Sequence, residues 1–349
     1  MKTEIIRITD RSVNNDRLLS KAASIIKNGG LVVFPTETVY GLGADGTNAE
    51  AANKIFSAKG RPSDNPLIIH VAAPEDAERY VYVNDTYKRL AERFMPGPLT
   101  VVLPAREIIP LNTRASLPTV AVRCPEDNIA RRLIKLSGVP IAAPSANLSG
   151  SPSPTKAEHV IDDMMGRVDM IIDGGDCDFG LESTIVKIED DGTATLLRPG
   201  KITVEDLLTV IPSVKVADAV TTALKEGEAV LSPGMKYSHY APSCPVYLLD
   251  GKLSARIDYL KSLDSKRIAV LCYKDDIEIV KKDLSNAYIY EFGELTEQIT
   301  QAHLLFDILR DADKQGFDEI YAPLPQKSGI GLALYNRMIR AAAYQIIRL

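Results

Sequence analysis

Two cations lie close together in a turn between a helix-like segment and an apolar one. In FSAKGRPSDNPLIIHV, residues 56–71, Lys59 and Arg61 flank Gly60, and His70 ends the apolar run. Arginine binds phosphate as a planar bidentate fork, and lysine acts as a mobile point charge. The pair therefore suits a polyphosphate, although K-x-R is also typical of two solvated surface cations. His70 fits either a ligand-binding role or a hydrogen-bonded core position.

Further polar groups follow predicted strands. Thr36, in FPTET, either hydrogen-bonds a small polar substrate or satisfies local backbone. Ser145, Asn147 and Ser153 either hold phosphate oxygens or stabilise turns. Arg123 ends the apolar VAV, and a buried guanidinium requires an anionic partner or a hydrogen-bond network, with a substrate carboxylate as one candidate. In α/β sheets, ligands bind in the crevice formed by such loops.

The common nucleotide-binding and catalytic motifs do not explain these residues. Gly41, Gly43 and Gly46 match G-x-G-x-x-G, but they do not follow a strand directly, and no acidic residue ends the next strand. The sequence contains no P-loop pattern and no Ser-His-Asp signature. Its four cysteines are far apart and include no C-x-x-C pair, which predicts neither a zinc site nor a dense disulfide framework.

The composition of the 349 residues is that of a globular protein, with 45% hydrophobic and 25% charged residues. The formal net charge of -5 gives no global attraction to nucleic acid or an anionic membrane, so any anion site must be local. No apolar run approaches the roughly 18 residues needed to span a bilayer, and no signal-peptide pattern is present. We expect a soluble cytoplasmic protein that does not associate with membranes.

Hydrophobic periodicity predicts alternating helices and strands in the first part of the chain. The predicted helices are DRLLSKAASIIK, AEAANKIFSA, DTYKRLAERF, DNIARRLIKLSG and AEHVIDDMMG. The predicted strands are LVVFPT, PLIIHV, LTVVLPA, TVAVRCP, VPIAAPSA, DMIIDGG, STIVKIED and TATLLRPG, with a hairpin turn at Asp191 and Gly192 joining the last two. Together they predict one mixed α/β domain over residues 1–211.

The pattern changes after this domain. Residues 212–244 contain a small-residue stretch and a proline-rich segment without periodicity, which predicts a linker. Residues 245–349 contain strands PVYLLDG, RIAVLCY and AYIYEF and two amphipathic helices, ITQAHLLFDILRDADKQG and LALYNRMIRAAAYQII. They predict a second, smaller α/β domain.

The ordered motifs KGRPSDNPL, PSANLSG, ESTIV, LRPG and SPGMKYSHYAP resemble the Sua5 type of threonylcarbamoyl-AMP synthase, in the YrdC-like superfamily, over essentially the whole chain. The resemblance implies a YrdC-like catalytic domain, a linker that acts as a lid, and a Rossmann-like Sua5 domain. It implies that L-threonine, bicarbonate or CO₂, and ATP with Mg²⁺ yield L-threonylcarbamoyl-AMP and pyrophosphate. The product would pass to tRNA threonylcarbamoyl transferase proteins, which modify tRNA.

The same resemblance implies roles for individual residues. Threonine would be held by Thr36, His70, Arg123, the backbone of Ala143, and Ser183. The nucleotide would be contacted by Lys59, Arg61, Asn65, Thr119, Ser145, Asn147, Ser153, Arg198, and the linker residues Tyr237, His239 and Tyr240. Lys59 and Arg61 are the predicted catalytic residues; with Arg198 they would balance the charge that moves onto pyrophosphate. A closed, dry pocket would protect the threonine carbamate.

Two other functions fit parts of the sequence. A concave patch of Lys59, Arg61, Arg123 and Arg198 could bind RNA, including tRNA, without any catalysis, although the net charge of -5 counts against it. Carbamoyl transfer from carbamoyl phosphate, as in hydrogenase-maturation relatives, would require additional domains that this chain lacks.

Overall fold

The computed structural model describes residues 2–11, 15–223, 240–263 and 266–349. Their strands form two sheets, one of 11 strands and one of five. Helices lie between the strands along the chain in both parts. The architecture is therefore mixed α/β, as predicted. None of the helices in these ranges is long and apolar enough to cross a membrane.

The larger sheet mixes parallel and antiparallel pairs in the order β1-β8-β2-β3-β7-β4-β6-β5-β9-β10-β11. The predicted hairpin of β9 and β10 is confirmed by their antiparallel pairing. The strands are β1 Glu4–Arg7, β2 Val32–Phe34, β3 Gly41–Asp45, β4 Ile68–His70, β5 Leu99–Pro104, β6 Thr119–Arg123, β7 Ile141–Ala142, β8 Met170–Asp173, β9 Thr184–Ile188, β10 Ala194–Arg198 and β11 Val214–Val216.

Helices cover both faces of this sheet. Successive strand residues point to opposite faces, and apolar side chains on both faces pack against helices. Val32 and Phe34 pack with two helices on one face, whereas Val33 belongs to the larger core on the other. The first pair is α1 Asp16–Lys27 and α4 Asn128–Ser137. The larger core includes α2 Ala49–Lys59, α3 Asp85–Phe94, α5 Ala157–Met164 and α6 Val204–Leu208.

The smaller sheet is fully parallel and has the order β14-β13-β15-β12-β16. Two helices pack on one face and two on the other, which is the Rossmann-like arrangement that a buried parallel sheet needs. The strands are β12 Val246–Asp250, β13 Ile268–Cys272, β14 Tyr288–Glu291, β15 Glu319–Pro323 and β16 Ile346–Arg348, and the helices are α7 Leu253–Lys261, α8 Ile277–Asp283, α9 Gln298–Gln315 and α10 Gly331–Ala341.

The layer formed by α9 and α10 packs against the first domain. Val39, Phe179 and Leu181, from the larger domain, belong to the same apolar core as both helices. All residues of α10 are buried, including those of its polar face, so the predicted amphipathic helix does not turn that face to solvent. The helix lies between the small sheet and the first domain, and its polar side chains find partners there.

The end of α10 also differs from the prediction, which extended the helix to Ile347. The helix ends at Ala341, and Ala343 and Tyr344 adopt positive φ values. The chain then enters β16, which pairs with β12. An apolar segment of this length satisfies helix and buried-strand patterns equally well, so periodicity alone did not separate them.

The two edge strands of the large sheet were not predicted from the sequence. β11 and the short 3₁₀ helix Asp218–Val220 lie within the predicted linker 212–244. β11 pairs in parallel with β10, and its short, partly buried edge position left only a weak alternating pattern. β1 pairs with β8 at the other edge and was also missed.

Gly41 and Gly43 of YGLGADG lie in strand β3 and do not form a phosphate-binding turn. β3 pairs with β2 on one side and β7 on the other. A Cβ atom added at Gly43 would lie 2.7 Å from side-chain atoms of both Phe34 and Ile141. This glycine is therefore explained by close packing in the sheet.

We expect Gly43→Ala to lower the free energy of unfolding by about 1–3 kcal/mol, because the added methyl group overpacks the core. Gly41→Ala, in the same strand, should cost less, since its Cβ would lie 3.3 Å from Phe34. Urea denaturation of both variants measures the difference. Equal stability of Gly43→Ala and the parent protein would contradict this packing role.

Candidate functional site

A cavity of about 630 Å³, including its open mouth, lies where loops and strand ends of the first domain meet. Its walls contain 11 of the predicted site residues: Thr36, Arg61, His70, Arg123, Ala143, Ser145, Asn147, Ser153, Ser183, Arg198 and Tyr240. Val39, Tyr40, Gly41, Ile68, Pro144, Ser151 and Glu182 complete the lining. The fold thus gathers residues that are spread over about 200 positions of the sequence into one site.

The other five predicted residues fall into two groups. Lys59, Asn65 and Thr119 do not line this cavity. Tyr237 and His239 lie outside the residues that the structure describes. Thr119 begins β6, two residues before Ala121, which pairs with Ile68. Because β4 and β6 are parallel, Thr119 lies at the same end of these strands as the turn around Asn65.

Lys59 is buried at the end of α2, with only 3% of its surface exposed. Its Nζ atom donates hydrogen bonds to the carbonyl oxygens of Ser145 and Asn147. Burial and the nearby charge of Arg61 lower its pKa well below the ordinary value. The solvated-cation interpretation of Lys59 was therefore wrong, since the side chain fixes the loop that forms one wall of the cavity.

Arg61 and Asn65 belong to the turn that precedes β4. Arg61 donates to the carbonyl oxygens of Asn65 and Pro66, at 3.3 and 3.2 Å. The side-chain amide of Asn65 is buried and has no hydrogen-bond partner within the described part of the chain. A buried amide without partners is costly, which makes it a candidate ligand contact.

The Ser145–Asn147 loop is held by its own side chains. Ser145 donates to the Asn147 carbonyl Oδ1 at 2.5 Å, and the Asn147 amide donates to the backbone oxygens of Leu148 and Ser151. Thr36 likewise donates to the backbone oxygen of Val39 at 2.6 Å. Asn147 and Thr36 therefore satisfy local backbone, as one interpretation predicted for Thr36, and all three residues also line the cavity.

His70 and Arg123 end neighbouring parallel strands and are both buried. Since a carbonyl can only accept, His70 Nδ1 donates to the Ile141 oxygen at 3.2 Å, which leaves Nε2 as an acceptor. Burial and the charge of Arg123 lower the pKa of His70 to about 3, so the imidazole is neutral near pH 7.

Arg123 has the anionic partner that its burial required. Its Nη2 atom lies 2.6 Å from Glu37 Oε1, and both side chains are about 5% exposed. Glu37 Oε2 and Arg123 Nε have no partner among the residues described. Glu37, in the motif FPTET, was missed; the burial of Arg123 implied a carboxylate, but sequence spacing did not show which one.

Arg198, at the end of β10, closes another wall. It donates to the backbone oxygen of Ser183 at 3.0 Å and to the Ser183 hydroxyl at 3.1 Å, and Ser183 also contacts Thr100 at 2.8 Å. Burial lowers the pKa of Arg198 to about 10, although Glu182 opposes that effect. Arg198 therefore remains a cation at neutral pH, fixed beside the cavity.

Glu182 was missed as a site residue although it lines the cavity and is only 5% exposed. Ser153 donates to Glu182 Oε1, and Arg337 Nε donates to Oε2 at 2.9 Å. Burial would raise the pKa of Glu182, but the charges of Arg337 and Arg198 outweigh it and hold the pKa below its usual value. The carboxylate is therefore ionised, and it is paired directly with the guanidinium of Arg337.

Known proteins resemble this chain over its whole length. The family model Sua5_yciO_yrdC, described as telomere recombination, matches residues 24–200, and the model of the threonylcarbamoyl-AMP synthase C-terminal domain matches residues 202–343. Threonylcarbamoyl-AMP synthase of Bacillus subtilis is 41% identical with full coverage of both chains, and that of Pyrococcus abyssi is 43% identical over 94% of each.

The chain belongs to the Sua5/YrdC family. The crystal structure of Pyrococcus abyssi Sua5 complexed with L-threonine superposes with a TM-score of 0.90 at 40% identity and covers 99% of this chain and 100% of that one. The YrdC-like and Sua5 parts are therefore both present, which confirms the predicted fold class.

Because His70 is uncharged in this Sua5-family protein, the free energy of unfolding should depend on pH. Between about pH 3 and 6.5, the unfolded chain binds a proton at His70 that the folded protein does not bind. The free energy of unfolding should therefore fall as the pH is lowered through this window. In His70→Gln this component should disappear, so that the variant shows a flatter dependence.

Urea unfolding of both proteins between about pH 7 and 4.5 tests this prediction. The difference between the two profiles isolates His70, because other groups contribute to both. Parallel profiles would show that the pKa of His70 is the same in the folded and unfolded states.

Proposed function

We propose that this protein synthesises L-threonylcarbamoyl-AMP from L-threonine, bicarbonate or CO₂, and ATP, with release of pyrophosphate. The observation that carries the proposal is a single cavity that combines guanidinium groups, hydroxyls and a neutral imidazole in a chain whose full-length relatives are named threonylcarbamoyl-AMP synthases. These groups suit an amino acid and a polyphosphate held side by side.

The threonine would bind at the end of the cavity formed by β4 and β6. The proposed contacts are Thr36, His70, Arg123, the backbone of Ala143, and Ser183. Arg123 is already paired with Glu37, so the pair offers both a donor and an acceptor to a zwitterion. Neutral His70 can accept a hydrogen bond from the amine or hydroxyl group without repelling an ammonium ion.

The nucleotide would occupy the opposite side of the cavity, next to Arg61, Asn147 and Arg198. The other proposed contacts there are Lys59, Asn65, Thr119, Ser145, Ser153, Tyr237, His239 and Tyr240. The threonine carbamate would attack the α-phosphorus, forming the P–O bond as the bond to pyrophosphate breaks. The cations of the protein would stabilise the charge that builds up on the leaving group.

Lys59 would act mainly by holding the Ser145–Asn147 loop, and the approach of a polyphosphate would favour its charged form. A closed site would slow loss of CO₂ from the carbamate by excluding water. Catalysis would thus rest on positioning and electrostatic stabilisation, with no covalent intermediate on the protein.

Mg²⁺ is proposed to accompany ATP. Across the described ranges, no group of three or more His, Cys, Asp or Glu side chains is placed to hold a metal ion. Glu182, the carboxylate in the cavity wall, is occupied by Arg337 and Ser153. The donor set thus fits an ion held by phosphate oxygens and water, where it would neutralise part of the phosphate charge.

The adenylate is an activated carbamoyl group and must be consumed by a transfer reaction. We propose the tRNA threonylcarbamoyl transferase proteins as its recipients, for modification of adenosine in tRNA, and the cytoplasm as the location. The thiols support a reducing compartment, since all four cysteines are unpaired and three are buried.

Omission of one substrate at a time tests the proposal. Pyrophosphate release from Mg²⁺-ATP by the purified protein should require both threonine and bicarbonate. Release without threonine, or no release from the complete mixture, would contradict the synthase function. Salt-sensitive tRNA binding in that case would favour the RNA-binding alternative.

Arg61→Ala should reduce threonine-dependent pyrophosphate release by about 10²-fold to 10³-fold, the effect of losing one transition-state donor. Arg17→Ala, at an exposed position of α1 away from the cavity, is the matched control and should retain the activity of the parent protein. Activity of Arg61→Ala within twofold of that control would contradict a catalytic role of Arg61.

A further inference from the structure

Arg337, on helix α10 of the second domain, lies behind the wall of the cavity and contacts residues that form it. Arg337 is fully buried and donates to Glu182 Oε2 at 2.9 Å and to the backbone oxygen of Pro199 at 2.7 Å. Pro199 directly follows Arg198, and Glu182 directly precedes Ser183. A single guanidinium therefore links two loops that belong to the first domain and line the site.

Tyr240 packs against helices α9 and α10. Its ring stacks on Phe306 of α9, with centroids 5.2 Å apart, and the guanidinium carbon of Arg337 lies 5.8 Å from its ring centroid. Tyr240 is 5% exposed and lines the cavity. Arg310, also on α9, donates to the backbone oxygen of Pro152, next to Ser153. The second domain thus contacts Pro152, Glu182, Pro199 and Tyr240, which lie at or next to the cavity lining.

The cavity wall contains a negative charge, that of Glu182, which by itself would oppose the binding of nucleotide phosphates. Glu182 is a buried, ionised carboxylate in a cavity proposed to receive a polyanion. Alone, it would repel the phosphates and would pair with Arg198 in their place, because like charges repel strongly in a low-dielectric site. Arg337 cancels the charge of Glu182, so that Arg198 contributes the net positive charge of the group.

We propose that Arg337 is a positioning residue for ATP in the synthase site: it acts from the second domain chiefly by neutralising Glu182, and secondarily by holding the Arg198–Pro199 loop. This inference rests on the proposed function. Arg337 itself is not among the residues that line the cavity, so it acts through Glu182, Pro199 and Tyr240. The second domain consequently supplies part of the nucleotide site.

The alternative is that Arg337 only stabilises the interface between the domains. The experiment must distinguish that role from an effect on ATP binding. Arg340, one turn further along α10, is also buried and donates to a backbone oxygen of the first domain, that of Ala219, at 2.8 Å. Ala219 does not line the cavity. Arg340→Met is therefore a matched control for the loss of a buried arginine at the domain interface.

The test compares Arg337→Met, Arg340→Met and the double variant Glu182→Gln/Arg337→Met in the full chain. After circular dichroism has established folding, the KM values for ATP and threonine are measured by pyrophosphate release, and ATP binding by titration calorimetry. Arg337→Met should raise the KM and Kd for ATP by about 10-fold to 100-fold, as expected for loss of a buried charged hydrogen bond, with a much smaller change in the KM for threonine.

The double variant removes both charges and should recover most of the lost ATP affinity, whereas Arg340→Met should affect thermal stability more than the KM for ATP. If Arg337→Met does not fold, the double variant is compared with Arg340→Met directly. An ATP affinity within about threefold of that control supports the proposal, because charge balance is restored without the arginine.

An Arg337→Met protein with the ATP affinity of Arg340→Met would overturn the proposal, as would a double variant that binds ATP more than about tenfold more weakly than Arg340→Met. The proposed function fails separately, if the parent protein itself shows no threonine-dependent pyrophosphate release. ATP titration still decides the role of Arg337 in that case.

Discussion

The buried ion pair of Glu182 and Arg337 joins the two domains at the wall of the cavity. A carboxylate in this position is tolerated only when it is paired and hydrogen-bonded, and Ser153 and Arg337 satisfy its two oxygens. Removing one partner of such a pair typically costs about 3–5 kcal/mol, because the other charge is left buried. The position of α10 relative to the start of β9 is therefore strongly constrained, and the second domain supports this wall of the cavity.

The same arrangement recurs around the cavity: a buried lysine or arginine from one element donates to the backbone carbonyls of a loop from another. Lys59 holds the oxygens of Ser145 and Asn147, Arg310 holds that of Pro152, and Arg337 holds that of Pro199. Loops tied in this way keep their dipoles and side chains in place before a ligand arrives. Preorganisation of this kind is what electrostatic stabilisation of a transferring phosphoryl group requires.

Burial also decides the charge state of the proposed threonine end. His70 is neutral because its surroundings exclude water and Arg123 lies nearby, and Arg123 is balanced by Glu37. This end of the site therefore carries little net charge, whereas Arg61 and Arg198 leave the proposed nucleotide end positive. The difference suits a zwitterion on one side and a polyphosphate on the other.

Local sequence patterns determined most of the strands and helices, the mixed α/β class and the loops that carry chemistry, because periodicity and turn residues act over a few positions. They did not identify β3, where glycines are required by the proximity of Phe34, or β16, where an apolar run fits two structures. The residues Glu37, Glu182 and Arg337 became visible as site components only in the tertiary structure. Glu182 and Arg337 are 155 positions apart, and the partner of a buried charge depends on how distant elements pack, which no local pattern records.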